Sequence, residues 1–207
     1  MNQSARSSAL KRFFDVAGAL AAIALLAPVL VLITSIILLI MGWPVFFIQR
    51  RPGRNGATFG LIKFRTMNAL RGPQGRLLPD GKRLTPLGRW LRATSIDELP
   101  ELLNVLRGDM SLVGPRPLLG AYLNRYTPEQ ARRHEVKPGI TGWAQINGRN
   151  ALSWEEKFKL DVWYVDHHNL WLDLKIILRT IKKVLMREGI SHAGEATMSE
   201  FMGSEGR

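Results

Sequence analysis

Between Val16 and Ile48 the chain runs for 33 residues without a charged side chain, and no other feature limits its folding so tightly. About 20 apolar residues cross a bilayer as a helix. The stretch VAGALAAIALLAPVLVLITSIILLIMGW therefore has to meet lipid or an unusually large core. A cleaved signal peptide does not fit. The apolar part exceeds the roughly 7–15 residues of a signal core, and Pro and Arg follow it rather than a small-residue cleavage site. A single spanning anchor is the simple reading. Against it stands Pro28, mid-run, which removes a helix hydrogen bond and favours a kink. Basic residues also sit on both sides, Arg6, Lys11 and Arg12 before and Arg50, Arg51 and Arg54 after. Positive residues favour the cytoplasmic face, so a spanning helix leaves one cluster on the wrong side. A helix that enters, breaks near Ala27-Pro28 and returns puts both on one side. Thr34, Ser35 or the neighbouring turn are then expected to satisfy the broken backbone.

The net charge of +12 is placed around this run. Residues 1–15 carry +2, and residues 49–92 hold eleven basic side chains against Asp80 alone. Residues 93–207 hold fifteen of each sign, so the excess flanks or follows the apolar segment. An ordinary soluble basic protein with evenly spread charge is ruled out. The absence of cysteine excludes a disulfide scaffold, a thiolate metal site and a cysteine nucleophile.

Beyond the apolar run, PVFFIQ and TFGLIKFRTM read as short strands joined by the turn-rich RRPGRNG. Residues 68–86 read as a basic loop, and LGRWLRATSIDELPELLNVLRG as helix. GDMSLVGPRPLLG is a Gly/Pro-rich loop. Thr127 and Pro128 suit the N-cap and first position of a short helix. KPGITGWAQINGRN is loop or irregular strand, and residues 153–187 are helical. These elements predict an α/β fold, mostly helical with a small strand element, in a single membrane-associated domain. The expected organisation is a basic N-terminus with a re-entrant, Pro-kinked membrane helix over 1–48, a catalytic domain over 49–188 and a C-terminal tail over 189–207.

Asp97 and Glu98 are adjacent in RATSIDELPELL, where Thr94 or Ser95 is expected to cap a helix and place both acids in its first turn. Acids favour that position for structural reasons alone. Their surroundings say more: Lys63, Arg65, Arg92 and Arg116 lie in short Gly/Pro-bounded segments around them. A carboxylate among cations stays ionised, which suits a nucleophile on phosphorus or a ligand to Mg²⁺. Guanidinium groups suit phosphate because their fork pairs two oxygens.

KFRTM at 63–67, RATSIDELPELLNVLRGDMSLVGPRP at 92–117 and KPGITGWAQINGRN at 137–150 resemble the bacterial sugar transferases, the monotopic phosphoglycosyl transferases. LKRFFD at 10–15 before the apolar run is similar as well. The resemblance covers nearly the whole chain. It implies a transfer of sugar-1-phosphate from a UDP-sugar to polyprenol (undecaprenyl) phosphate, with UMP released and Mg²⁺ as cofactor. It implies a re-entrant helix at the bacterial inner (cytoplasmic) membrane, with the catalytic domain on the cytoplasmic face. The family's dyad falls on Asp97, the nucleophile of a covalent phosphosugar intermediate, and Glu98. Both are candidate Mg²⁺ ligands. Arg116 and Lys63 become phosphate-side candidates, joined by Arg92 and Arg65. Gln145 and Arg149 lie in a family motif and Asp161 on a helix, as further candidates for the substrate. The short length and the ending GEATMSEFMG resemble the small members that act on an acetylated amino sugar. The family often breaks the helix at Ser-Pro, where this chain has Ala27-Pro28.

In LDVWYVDHHNLWLDLKIILRTIKKVLMREG, Ile176, Ile177, Thr180, Ile181, Val184 and Leu185 share a helical face with basic residues around the rest. Two readings stand, a core-packing helix or an interfacial helix on anionic lipid aided by Trp163, Tyr164 and Trp171. His167 and His168 point to different helix faces, against a shared metal site. A membrane-tethered nucleic-acid binder and a scaffold are the competing functions, but no nucleic-acid-binding motif is present. The expected partners are a UDP-sugar, polyprenol phosphate and membrane lipids, with no nucleic acid.

Overall fold

The structure, a computed structural model, describes residues 3–148, 151–186 and 200–203. It is mostly helical, with two small two-stranded sheets. Helix α1 (Gln3–Met41) takes in nearly all of the apolar run, and an 18-residue window within its Ser8–Met41 portion reaches a mean hydropathy of 3.0. Straight, its 39 residues would measure about 58 Å. Yet both arms dock on the same body. On the N-terminal arm the Arg12 guanidinium donates to the carbonyls of Val105 and Leu106. Asp15 accepts from Ser111 Oγ (2.9 Å) and from the Leu112 amide (3.0 Å), and Ala19 is fully buried beside Leu61 and Leu102. On the C-terminal arm Ile33 and Ile37 pack with Val45, Phe64 and Leu91. The stretch between the arms, with Leu25 80% and Val31 65% exposed, touches little protein. Pro28 lies in that stretch. Ser35 Oγ donates to the Val31 carbonyl (3.0 Å), one turn back on its own arm, so it does not serve the carbonyl that Pro28 leaves free.

Strands β1 (Phe46–Pro52) and β2 (Thr58–Phe64) form the expected antiparallel hairpin, with Phe47 opposite Lys63 and Arg51 opposite Phe59. A short helix α2 (Asp80–Arg83) leads into α3 (Pro86–Ala93). Thr85 caps α3 by accepting from the Gly88 amide (2.9 Å), with Pro86 at the first position. The single helix expected across residues 87–108 is instead broken. α3 ends at Ala93, a 3-10 turn covers Ile96–Glu98, and α4 (Glu101–Arg107) begins after Pro100. The cause is local: Ser95 adopts φ +58°, which reverses the chain, and Pro100 cannot donate into a preceding turn. Thr94 and Ser95 make no cap, and the Thr94 hydroxyl bonds back to Trp90 and Leu91. Gly108, at φ +93°, closes α4 in the left-handed cap that glycine allows most readily.

β3 (Ser111–Val113) and β4 (Gly139–Thr141) pair in parallel, so part of the stretch expected as loop is strand. Between them lies α5 (Pro128–Ala131), capped by Thr127 in a capping box with Gln130 as its sequence suggests. After α6 (Trp143–Ile146), the expected helix over 153–187 is two helices, α7 (Trp154–His167) and α8 (Leu170–Met186). Ser153 opens α7 with a capping box, and Asn169 opens α8 by accepting from the Leu172 amide (2.9 Å). α8 turns Leu172, Asp173 and Ile176 inward and leaves Trp171, Leu174, Leu178 and Ile181 exposed, with Val184. Ile181 and Val184 thus part company from Ile176. Most of the tail lies outside the described residues, but Phe201 is buried against Tyr122, Tyr126 and Phe158.

Candidate active site

Four segments converge on the dyad. β2 supplies Lys63, the 3-10 turn supplies Asp97 and Glu98, α4 supplies Glu101, and the loop after β3 supplies Arg116. Asn104, fully buried on α4, ties two of them together. Its amide donates to the Gly60 carbonyl (2.7 Å) and accepts from the Ile62 amide (3.0 Å), acting as a partner for the edge of β2. That contact fixes Lys63 over the first turn of α4. Arg116 is placed by a close backbone approach. A side chain at Gly114 would lie 2.3 Å from the Lys137 carbonyl, so only glycine lets the PRP segment lie against the start of β4.

Glu98 is the hub. Arg116 grips it with both terminal nitrogens, one at 3.1 Å from Oε2 and the other on Oε1, while Lys63 Nζ lies 2.7 Å from Oε1. Lys63 is shared, with Glu101 Oε1 at 3.2 Å on its other side. Burial would raise the Glu98 pKa, but Arg116 and Lys63 outweigh it and hold the carboxyl well below its ordinary value. Glu98 is therefore a fixed anion. Asp97 is its opposite. It is 7% exposed, and its carboxylate has no hydrogen bond or ion pair among the described residues. Burial, with the Glu98 charge beside it, pushes its pKa up to about 6, while Lys63, Arg116 and Arg92 pull the other way more weakly. Burial and Glu98 also push Glu101 up to about 7. The sequence reading missed Glu101. Its spacing three residues after Glu98 on a helical path is the signal that was there to find.

The other sequence candidates separate. Arg92 stays near the dyad and donates through Nε to Thr66 Oγ1 (3.1 Å). Arg65 does not reach the dyad. Its guanidinium donates to the Met41, Gly42 and Trp43 carbonyls, capping the C-terminal end of α1, where a cation is favoured. Asp161 is buried at 3% exposure and bound at 2.7 and 3.1 Å by Arg133, whose own Nη2 donates to the Arg116 carbonyl (2.8 Å). Asp161 thus braces the loop that carries Arg116, and its carboxylate is consumed in doing so. The Gln145 amide is buried without a hydrogen-bond partner, near Gly142 and Gly114. Arg149 lies outside the described residues. His167 and His168 bond separately to the Trp163 and Val165 carbonyls.

Arg51 joins the site unannounced. It lies near Arg116, and burial together with that neighbouring charge lowers its pKa below the ordinary arginine value. For a magnesium ion, no group of three acids or histidines among the described residues forms a ready cage. Mg²⁺ is commonly held by one or two carboxylates plus substrate phosphates. The unpartnered Asp97 carboxylate suits that role, with the less crowded Glu98 Oε2 beside it.

Comparison with known proteins agrees with this arrangement. Residues 6–187 match the family model described as bacterial sugar transferase. An uncharacterized sugar transferase, EpsL, of Bacillus subtilis is 57% identical over 195 residues, covering 94% of this chain and 96% of that protein. The UDP-glucose:undecaprenyl-phosphate glucose-1-phosphate transferase of Caulobacter vibrioides is 44% identical over 185 residues, 84% of this chain and 69% of that protein. The UDP-galactose-lipid carrier transferase of Erwinia amylovora is 42% identical over 197 residues, 87% of this chain but 41% of that longer protein.

Proposed function

We propose that this chain, which belongs to the bacterial sugar transferase family, moves a sugar-1-phosphate from a UDP-sugar to undecaprenyl phosphate and releases UMP. The observation that carries the chemistry is Asp97, a buried carboxylate that ionises near neutral pH and is left without a partner. An Asp97 oxygen attacks the phosphorus bearing the sugar. The bond from that phosphorus to the UMP oxygen breaks, and UMP leaves with the electron pair. A phosphate oxygen of the lipid then attacks the same phosphorus, breaking the aspartyl–phosphorus bond and restoring Asp97. Neither step needs a proton from Asp97, so a group largely ionised at pH 7 serves both. Glu98, locked by Arg116 and Lys63, holds those cations where phosphate oxygens gather negative charge in the transition state. Mg²⁺ held by Asp97 and Glu98 would offset the charge of the diphosphate when bound.

The names of the relatives speak of glucose and galactose, so a hexose donor has wider support than the acetylated amino sugar suggested by the tail motif. The membrane helix supports re-entry, because its two arms dock on one body while the stretch around Pro28 stays bare. α8 adds an apolar stripe of Trp171, Leu174, Leu178 and Ile181 flanked by Lys175, Arg179 and Lys182, suited to lying on anionic lipid. Lys11, at the start of the membrane helix, reaches Asp173 of α8 at 2.6 Å, which puts that stripe level with the membrane entry. On this reading the catalytic domain sits on the cytoplasmic face of the inner membrane.

The decisive experiment supplies UDP-glucose, UDP-galactose or an acetylated UDP-amino sugar with Mg²⁺ and no lipid acceptor. Intact mass should rise by one sugar phosphate in the wild type and not in Asp97→Asn. UMP release from one donor without any adduct would reject the covalent route. For topology, cysteines placed at positions 5 and 55 in this cysteine-free chain should label from the same side.

A further inference from the structure

Among the described residues, Arg51 is a cation beside the site that no carboxylate meets. Strand alternation puts Arg51 on the hairpin face that presents Lys63, since Lys63 lies opposite Phe47 and Arg51 is four residues along β1. The separation along the strand is about 13 Å. The next residue, Pro52, lines a narrow cleft together with Pro115, Arg116 and Arg133. Arg51 therefore stands at the mouth of the loop that carries Arg116. Its bonding is poor for a partly buried guanidinium. One terminal nitrogen donates to Gln49 Oε1 (2.7 Å), a neutral acceptor, and the Nε–H is buried with no acceptor at all. No carboxylate among the described residues lies within ion-pair distance of it. Arg65 shares the buried, unpartnered Nε, but its other nitrogens bind three carbonyls at a helix end, which meets its charge. Arg133 is fully met by Asp161, Tyr126 and the Arg116 carbonyl.

We propose that Arg51 is a phosphate-binding residue of this site, forming with Arg116 a two-guanidinium clamp that closes on a substrate phosphate. Two like charges near enough to feel each other, one of them anchored by Glu98, repel until an anion lies between them. A phosphate offers each fork a pair of oxygens. Buried donors without acceptors are rare enough that each needs a reason, and a phosphate oxygen gives the Arg51 Nε one. The inference rests on the transferase reading for the identity of the phosphate, which is either the diphosphate of the donor or the monoester of the lipid acceptor.

The test uses the full chain in detergent or nanodiscs, with Arg51→Gln and Arg51→Lys. Initial rates of UMP release are measured while UDP-sugar and undecaprenyl phosphate are varied in turn. Thermal unfolding runs in parallel. A charge-assisted hydrogen bond lost to phosphate corresponds to about a 10- to 100-fold rise in KM. That rise should appear for one substrate in Arg51→Gln, with kcat changed far less and Arg51→Lys recovering part of the loss. A rise for UDP-sugar assigns the clamp to the donor, and a rise for the lipid assigns it to the acceptor. KM values within twofold of wild type for both substrates, in variants that unfold at the wild-type temperature, overturn the proposal while leaving the transferase reading intact. If the wild type releases no UMP at all, equilibrium binding of UDP and of inorganic phosphate takes over. Affinity that falls in Arg51→Gln keeps the subsite and rejects the transferase, and unchanged affinity rejects both.

Discussion

Two buried acid–base clusters meet at Arg116, and they are built to opposite standards. Behind it, Arg133 donates to Asp161 at 2.7 and 3.1 Å, shares Nη2 with the Arg116 carbonyl and gives Nη1 to the Tyr126 hydroxyl. In front of it, Glu98 is over-supplied by Arg116 and Lys63, while among the described residues Asp97 accepts nothing and the Arg51 Nε donates to nothing. Asp97 and Asp161 are both buried, so the difference between the two acids is not one of exposure. It is a difference in whether the charges are matched within the chain. A matched buried pair serves the fold. A mismatched one costs stability and persists where a ligand completes it.

The largest expected effect tests the mismatch directly. Asp97→Asn should lower UMP release by a factor on the order of 10³ or more. It should also stabilise the protein. Because the native carboxyl holds its proton up to about pH 6, against 3.8 ordinarily, the folded state loses stability as pH rises through that window and stays weaker above it. The loss comes to about 3 kcal/mol at pH 8. Thermal unfolding in detergent should show the variant above wild type at pH 8 and level with it near pH 4. A variant that is inactive and less stable at pH 8 would mean that Asp97 has a partner in solution, and the contrast with Asp161 would fail.

The matched cluster should respond in reverse. Arg133→Ala or Asp161→Ala leaves one buried charge alone, at a cost of roughly 3–5 kcal/mol. Replacing both together, Arg133→Met with Asp161→Leu, should cost much less, because no charge is stranded. Unfolding of the two singles and the double gives the coupling. If the double is as unstable as either single, the pair is not the source of the loss. Residual activity per folded molecule should fall only as far as Arg116 loosens.

These contrasts explain what could be read before the structure. Local chemistry was legible: Thr127 caps α5, the loop after β1 turns at Asn55 and Gly56, and the long apolar run is helical, although the helix continues through Pro28, where a break was expected. The dyad and two of its cations, Lys63 and Arg116, were legible because their motifs carry them in series. What failed was direction. Arg65 and Lys63 are two residues apart, a spacing that on a continuous strand would aim both the same way, but β2 ends at Phe64 and Arg65, just past it, turns to the end of α1 while Lys63 reaches Glu98. The basic excess over 49–92 looked like a surface for anions. Much of it is spent internally, with Arg65 on α1, Lys63 on two glutamates, Arg92 on Thr66 and Arg83 on the Asn68 carbonyl. Asp161 was misplaced because its partner, Arg133, lies 28 residues away and only tertiary packing joins them.

A smaller effect concerns pH. kcat/KM should fall about tenfold per unit below pH 6 as Asp97 takes up its proton. A second inflection is expected near pH 7, where ionised Glu101 draws Lys63 away from substrate phosphate and lowers the rate as pH rises. Glu101→Gln should erase the inflection near 7 and keep the one near 6. Profiles that lose both, or neither, would remove Glu101 from the site.

The smallest expected effect separates Arg65, which the sequence placed at the site, from Arg51, which it placed only among the cations flanking the apolar run. Arg65 binds the Met41, Gly42 and Trp43 carbonyls, so Arg65→Ala removes a cation from a helix end, at about 1–2 kcal/mol. For a chain of 207 residues that lowers the unfolding temperature by roughly 2–8 °C. The folded enzyme should keep its KM for both substrates, since the Arg65 guanidinium is spent on the end of the membrane helix and the dyad is served by Lys63, inside β2. Arg51→Gln should give the opposite pair of results, a raised KM with little change in unfolding temperature. Should Arg65→Ala raise a KM tenfold at unchanged stability, the carbonyl cap would be incidental. The end of α1 would then belong to the substrate site rather than to the membrane anchor.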